Sequence, residues 1–237
     1  MELLGITLTE KTEKLYTDIV DDLIYPVTVL EMDPENQEDF NHPVSMDTGK
    51  KKFVIKVDKT LDQHLFENAL IRDAIYCHQL SSQAPVLTAK SEADKDAAQV
   101  AMMISSVIMD IDVENVLKKN DMHIDDIDTM RLSDLFGFLK SGMNDYNRPL
   151  YHNLTGLQIL LLYYTTSKRE NIQQIIETFY LSDPEAMEQI DKFVEIIDKY
   201  GVDDNRSMMR CMRKLVGACG MKGRINMEYN GRITTID

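Results

Sequence analysis

Apolar residues near the start of the chain recur every three to four positions, the spacing that places side chains on one face of a helix. The pattern is formed by Leu15, Ile19, Val20, Leu23 and Ile24. The capping-box pattern Thr7-x-x-Glu10 precedes it, and Pro26 follows it. We therefore predict an amphipathic helix over residues 8–24.

Two short stretches rich in β-branched residues come next, VTVLEM (27–32) and KFVIKV (52–57). The second alternates cleanly between apolar and polar residues, and a polar loop containing Pro34 and Pro43 separates the two. This arrangement predicts an antiparallel pair of strands.

Two helices are predicted after these strands. The pattern Thr60-x-x-Gln63 has capping-box form and opens a broad apolar stripe about five helical turns long. Ser91-x-x-Asp94 opens a third helix, from residue 92 to roughly 109, in which AAQVAMMISSVIM is almost entirely apolar or small. A helix of that composition is expected to be central and buried.

From residue 112 onward the pattern is mainly helical, with acidic connections. The last segment, INMEYNGRITTI, places Asn230-Gly231 between two β-rich pieces, which is a strong hairpin pattern. The sequence thus predicts an α+β fold in which helices pack on a small antiparallel sheet over residues 1–130. A mainly helical region follows over 131–237 and ends in a β-hairpin, with one continuous domain as the alternative.

Composition narrows the classes of protein. A formal net charge of −14 argues against general binding to nucleic acid, because a phosphate backbone would be repelled. Three cysteines, Cys77, Cys211 and Cys219, do not make a disulfide framework. No secretory signal pattern or apolar run long enough for a membrane span is found, so we expect a cytoplasmic protein without a membrane partner.

Charge is distributed unevenly along the chain. Residues 1–48 hold 12 acidic and 2 basic side chains, whereas residues 206–224 hold 6 basic and no acidic ones. The two segments could attract each other, or the basic one could dock an acidic partner. The candidate interaction residues are Arg206, Arg210, Arg213 and Lys214.

One long stretch, FVIKVDKTLDQHLFENALIRDAIYCHQLSSQAPVL (53–87), resembles the region of ImmA/IrrE-type zinc metallopeptidases that runs from a strand into the zinc helix. VIMDIDVENVLKKNDMHIDD (107–126) is similar to the segment that follows the active-site helices in phage-associated relatives. The resemblance covers roughly residues 8–130. It implies a zincin-like domain of bacterial or phage origin.

The zinc signature of that family is His-Glu-x-x-His, and this sequence has different residues at the corresponding positions. If Glu67 matches the family's upstream Glu, the signature falls on Arg72-Asp73-Ala74-Ile75-Tyr76, so Arg72 and Tyr76 stand in place of the two histidines. Asp73 stands in place of the general-base Glu. A guanidinium cannot ligate zinc, so we expect a degenerate site with no metal and no cofactor.

Other residues nearby are weak candidates for a rebuilt metal site: His64, Cys77 and His78. Cys77 and His78 are neighbours on a predicted helix and point about 100° apart, so they cannot chelate one ion from that helix. An alternative is that Arg72 replaces the cation and pairs with Asp94, Asp96 or Asp110. The contrasting interpretation is a solvated surface arginine.

Two further motifs resemble ion- or phosphate-binding patterns but are not interpreted as binding sites. Asp110-x-Asp112-x-Glu114 has the rhythm of a calcium loop, but it has no glycine at position six and runs into a predicted helix. Gly217, Gly220 and Gly223 follow a helix and precede a hairpin, the reverse of a phosphate-binding order, and are interpreted as a turn.

The resemblance and its departures predict a non-catalytic, zincin-like protein that acts through protein–protein interaction, in phage- or mobile-element-associated regulation. A zinc metallopeptidase with a rearranged site is the first alternative. An acidic protein that imitates nucleic acid and inhibits a nucleic-acid-binding partner is the second.

Overall fold

The computed structural model describes residues 1–33, 43–124, 131–139, 146–166, 173–175, 177–178 and 183–237. The chain divides into two compact units. The first comprises Met1–Ala84 and Val116–Ile124, and the second comprises Pro85–Asn115 and Asp125–Asp237. This division differs from the boundary expected near residue 130, because β-strand pairing joins residues 86–89 to the C-terminal hairpin.

The first unit mixes short strands with two helices. Its elements in chain order are β1 (Glu2–Leu3), β2 (Ile6–Thr7), α1 (Glu10–Asp21), β3 (Val27–Glu31), β4 (Val44–Asp47), β5 (Lys52–Val57) and α2 (Gln63–Ser81). The strands β1 and β2 pair in antiparallel fashion. Strand β5 is central in a second sheet of order β3-β5-β4, and its residues Phe53, Ile55 and Val57 are buried.

The predicted antiparallel pairing of 27–32 with 52–57 is wrong. Strand β3 runs parallel to β5, with Val27 opposite Phe53 and Glu31 opposite Val57. Strand β4, which the sequence pattern does not reveal, takes the antiparallel place on the other side of β5. Parallel pairing needs a connection of about a dozen residues or more, and the long segment between β3 and β5 provides it.

Both helices of the first unit begin two residues later than their predicted caps. The side chain of Thr9 accepts a hydrogen bond from the backbone N–H of Thr12, and that of Asp62 accepts one from Leu65. Thr7 and Thr60 are therefore not the cap residues. Helix α1 ends at Asp21 instead of residue 24.

The second unit contains most of the helices. Its elements are β6 (Val86–Ala89), α3 (Lys95–Lys119, whose residues from Val116 belong to the first unit), a helical stretch over 131–139, α4 (Arg148–Thr165), α5 (Pro184–Tyr200), α6 (Asn205–Ala218), β7 (Ile225–Tyr229) and β8 (Arg232–Thr235). Strands β6, β7 and β8 form an antiparallel sheet in that order.

The predicted C-terminal hairpin is confirmed. Strands β7 and β8 flank Asn230 and Gly231, whose positive φ angles of 51° and 67° match the two-residue turn that suits a twisted hairpin. The predicted glycine turn is confirmed in part: Gly220 and Gly223 follow α6 at positive φ, whereas Gly217 is still inside the helix. An α+β architecture with small sheets and a mainly helical C-terminal part is therefore established.

The third predicted helix is longer than expected. Helix α3 continues to Lys119 without a break at residue 109, so Asp110, Asp112 and Glu114 lie on one helix. A continuous helix cannot wrap a calcium ion as a loop does, which agrees with the sequence-based exclusion of that site.

The apolar face of α3 is buried as predicted, and Ala97, Ile104 and Ile108 are almost fully inaccessible. They belong to one apolar cluster with Leu157 of α4 and Leu215 of α6. Met208 and Met212 are buried in the same cluster, so these two methionines fill the core.

Among the helices that the structure describes, none combines the length and the apolar character needed to cross a bilayer.

Candidate functional site

Residues 72–76, which the sequence resemblance aligns with a zinc signature, lie on α2, where the sequence predicts a helix. Glu67 and Asp73 are buried, each with 5% of its surface exposed. Arg72 and Tyr76 are half-buried on the same helix. Helix α2 thus carries two buried carboxyl groups, with a guanidinium and a phenol partly exposed beside them.

Glu67 anchors the start of α1. Its carboxylate accepts hydrogen bonds from the Thr9 backbone N–H at 2.7 Å, the Thr9 hydroxyl at 2.9 Å and the Thr12 hydroxyl at 2.5 Å. The amide of Gln63 donates a further bond at 3.1 Å. Burial raises the pKa of Glu67, but these hydrogen bonds to the ionised form outweigh burial and leave the pKa below its ordinary value. Its geometry is that of a structural carboxylate.

Asp73 sits in a different environment. Burial raises the pKa of this carboxyl to about 7, and the neighbouring Arg72 guanidinium opposes the rise. Cys77, one helical turn later, is also buried, and burial together with the Asp73 charge raises the pKa of its thiol to about 12. Burial likewise raises the pKa of Tyr16 to about 12, with Cys77 adding to it. Burial thus disfavours the charged forms of Asp73, Cys77 and Tyr16, which suits a packed environment.

The metal-ligand candidates do not converge. His64 and His78 are exposed, whereas Cys77 is buried on the same helix. Within the described ranges, no three or more His, Cys, Asp and Glu side chains are grouped closely enough to hold a metal ion. A zinc site needs three or four such ligands around one ion.

Asp94, one of the predicted partners of Arg72, makes a bidentate pair with Arg224. Its two carboxylate oxygens accept from Nε at 2.8 Å and from Nη2 at 2.6 Å. Asp96 accepts a hydrogen bond from the Asn147 amide at 3.3 Å. Pairing of Arg72 with an acidic residue of the third helix stays a prediction.

The predicted interaction residues lie on α6, which is strongly amphipathic. The side chain of Asp204 caps the helix and forms a capping box with Ser207. One face buries Met208, Cys211, Met212, Leu215 and Val216. The opposite face exposes Arg206, Arg210, Arg213 and Lys214. The sequence therefore places four cations on the solvent side of one helix.

Three of these cations line a cavity of about 730 Å³, which we call the basic pocket. Its walls are formed by the end of α5, the exposed face of α6 and the end of the hairpin, namely Tyr200, Arg210, Arg213, Lys214, Gly217, Lys222, Thr234, Thr235, Ile236 and Asp237. Arg206 is not among the lining residues. The sequence pattern identified the helix but did not show that β8 closes the other wall.

The pocket is suited to an anionic group. Arg210, Arg213, Lys214 and Lys222 supply four positive charges against one acidic side chain, Asp237. Arginine offers a planar set of donors that can bind a carboxylate through two hydrogen bonds, and lysine adds a compact charge.

The thiols near this helix are not activated. Cys211 is buried and donates to the backbone oxygen of Gly201 at 3.0 Å. Burial raises the pKa of Cys211 and of Cys219 to about 12, so neither is a thiolate at neutral pH. The nearby arginines do not reverse this, and no nucleophilic role follows from them.

Searches against protein-family models, curated proteins and solved structures give no match to this chain. The structure itself defines the class as an α+β protein. The basic pocket and the buried carboxyl groups of α2 are its two candidate functional features.

Proposed function

We propose that this protein acts by protein–protein interaction and that the basic pocket binds an acidic segment of its partner. The proposal rests mainly on one observation: Arg210, Arg213 and Lys214 line one cavity together with Lys222 on a chain with a net charge of −14. A local basic patch on an acidic protein attracts short anionic segments, while the overall field disfavours an extended polyanion.

A non-catalytic role on a zincin-like scaffold agrees with the residues of α2. The Glu67 carboxylate is hydrogen-bonded to Thr9 at the start of α1. Burial disfavours the charged forms of Asp73 and of its neighbour Cys77. The substitution of both histidine positions removes the usual zinc ligands. Participation in phage- or mobile-element-associated regulation remains part of the proposal, supported by the sequence resemblance alone.

The binding proposal can be tested with fluorescein-labelled acidic peptides and fluorescence anisotropy. Arg213→Glu should weaken binding at least about tenfold, because a like charge then faces the carboxylates in the pocket. Arg206→Glu is the matched control: it changes the net charge equally, on the same helix, but at a position outside the pocket. Equal effects of the two substitutions, or no binding of any acidic peptide, would refute the proposal.

The amount of bound zinc distinguishes the proposed binding function from the alternative, a zinc metallopeptidase with a rearranged site. Protein purified without chelators is analysed for bound zinc by elemental mass spectrometry. We expect far less than one zinc per chain, because His64, Cys77 and His78 do not form a ligand set. A stoichiometry near one, together with chelator-sensitive peptide cleavage, would establish the enzyme instead.

A further inference from the structure

The outer edge of β8 is open within the second unit. In the sheet order β6-β7-β8, strand β8 is terminal, and no other strand of the described residues pairs with its far side. It is also one of the more exposed strands, with Ile233 at 65% exposure. An exposed strand edge presents backbone donors and acceptors that can pair with another extended segment.

Hydrogen bonds at the end of the hairpin show which residues face that edge. The backbone N–H of Ile236 donates to the Ile225 oxygen at 3.0 Å, and the Ile236 oxygen accepts from the Gly223 N–H at 2.7 Å. Both polar groups of Ile236 therefore point inward, toward β7. Because inward and outward directions alternate along an antiparallel strand, Thr234 also faces β7, whereas Ile233 and Thr235 direct their N–H and C=O groups outward.

The turn between β7 and β8 gives the same assignment of inward-facing and outward-facing residues. Tyr229 pairs with Arg232, and only Asn230 and Gly231 lie between them. In a two-residue hairpin the flanking pair exchanges both hydrogen bonds, so Arg232 faces inward. Counting by two from Arg232 reaches Thr234 and leaves Ile233 and Thr235 facing outward.

The open edge borders the basic pocket. The consecutive residues Thr234, Thr235, Ile236 and Asp237 all line the cavity, although successive side chains point to opposite faces of the sheet. The cavity therefore runs beside the last residues of the hairpin, where the outer edge of β8 ends. The cations of α6 form the facing wall of the same cavity.

We propose that the acidic partner segment binds in an extended conformation and adds a strand to the outer edge of β8. Its backbone pairs with the outward N–H and C=O groups of Ile233 and Thr235. Its acidic side chains, on one face, point toward Arg210, Arg213 and Lys214. This inference rests on the proposed function, since it specifies how the acidic segment occupies the basic pocket.

The open edge of β8 and the negative net charge of the chain both favour an acidic peptide over a nucleic acid. Strand addition uses peptide N–H and C=O groups, which a phosphate backbone lacks. The net charge of −14 opposes a polyanion that extends beyond the pocket. Alternation of side chains would place every second residue of the peptide against the cations, so the fitting peptide alternates acidic with β-prone residues.

Selective N-methylation of a peptide tests strand addition without altering the protein. The probe is an acidic peptide that alternates glutamate with threonine or valine, labelled with fluorescein. Two versions carry backbone N-methyl groups, one at the odd and one at the even positions. A methyl group blocks pairing along only one edge of an extended peptide, so one version should bind about as well as the parent and the other at least about tenfold more weakly.

The outcomes separate the two proposals. If the parent binds, Arg213→Glu weakens it and both methylated versions bind equally, strand addition is refuted while the proposed function survives. If the parent and a panel of related acidic peptides do not bind, both fail. If a single-stranded oligonucleotide displaces the peptide at lower concentration, an acidic peptide is not the partner.

A variant of the protein gives an independent test. Thr235→Pro removes an N–H that points outward and is not part of the pairing with β7, and proline is tolerated on edge strands. Peptide binding should fall at least about tenfold, with an unfolding temperature close to that of the unmodified protein. Unchanged binding by the folded variant would refute the strand arrangement.

Discussion

Asp73 offers a sharp test of the burial argument, through the substitution Asp73→Asn. Asparagine has nearly the same shape but does not ionise. The carboxyl has a pKa of about 7 in the folded protein against 3.8 for an ordinary aspartate, and it is only 5% exposed. The difference arises mainly because burial disfavours the carboxylate, with Arg72 opposing it.

The sign of the effect follows from proton linkage. Below about pH 4 the carboxyl is protonated in the folded and unfolded states, so ionisation costs no stability. Between about pH 4 and pH 7 the unfolded chain loses this proton while the folded protein retains it, and the free energy of unfolding decreases. Above about pH 7 the folded protein also loses the proton and holds a buried carboxylate, so the free energy of unfolding decreases no further.

The magnitude is measurable. About 3 pH units separate the two pKa values, and each is equivalent to about 1.4 kcal/mol, which gives about 4 kcal/mol in total. Between pH 5 and pH 8 the Asn variant should gain about 3 kcal/mol relative to the unmodified protein. Urea unfolding at both pH values, followed by circular dichroism, measures this difference.

The control is Asp18→Asn, on the exposed side of α1. This substitution removes the same charge at an exposed position, so it controls for the change in net charge. If Asp73→Asn changes stability by the same amount at pH 5 and pH 8, the raised pKa is refuted. A carbon-13 NMR titration of the Asp73 carboxyl with a midpoint near pH 4 would refute it directly.

Three further substitutions test the packing by chemical unfolding. Glu67→Gln should destabilise the protein by about 2 kcal/mol at neutral pH, because an amide cannot accept all the hydrogen bonds of the carboxylate. The lowered pKa of Glu67 means that this contribution is lost as the pH falls through the folded pKa, so a deficit that is unchanged in acid would contradict it. Gly156→Ala should cost about 1–3 kcal/mol, because the added Cβ would lie 3.0 Å from the Phe193 ring; an equally stable variant would show that the ring can move. Arg131→Ala should cost about 3 kcal/mol, because the fully buried Glu114 carboxylate loses a cation at 3.2 Å, and a neutral effect would show that other partners suffice.

The sequence determined the elements whose pattern is local. The buried helix α3, the amphipathic helix α6 and the Asn230-Gly231 hairpin follow from periodicity and turn chemistry, since each depends on residues close together in the chain. The charge distribution along the chain also singled out Arg210, Arg213 and Lys214 as candidate interaction residues, and the structure places them on one exposed face of α6. The cap positions were missed by two residues, because Thr9 and Asp62 are also suitable cap residues and the sequence pattern does not decide between neighbouring candidates.

Only the tertiary structure decided the features that join distant segments. Strand β3 pairs with β5 in parallel and β4 takes the other side of β5, and no local pattern reveals which strands become neighbours or in which direction. The basic pocket exists because residues 234–237 return beside α6, and the pKa of Asp73 is raised because surrounding groups exclude water from it. Strand partners and burial depend on contacts between segments far apart in the chain. Helix periodicity and turn preference depend on a few adjacent residues.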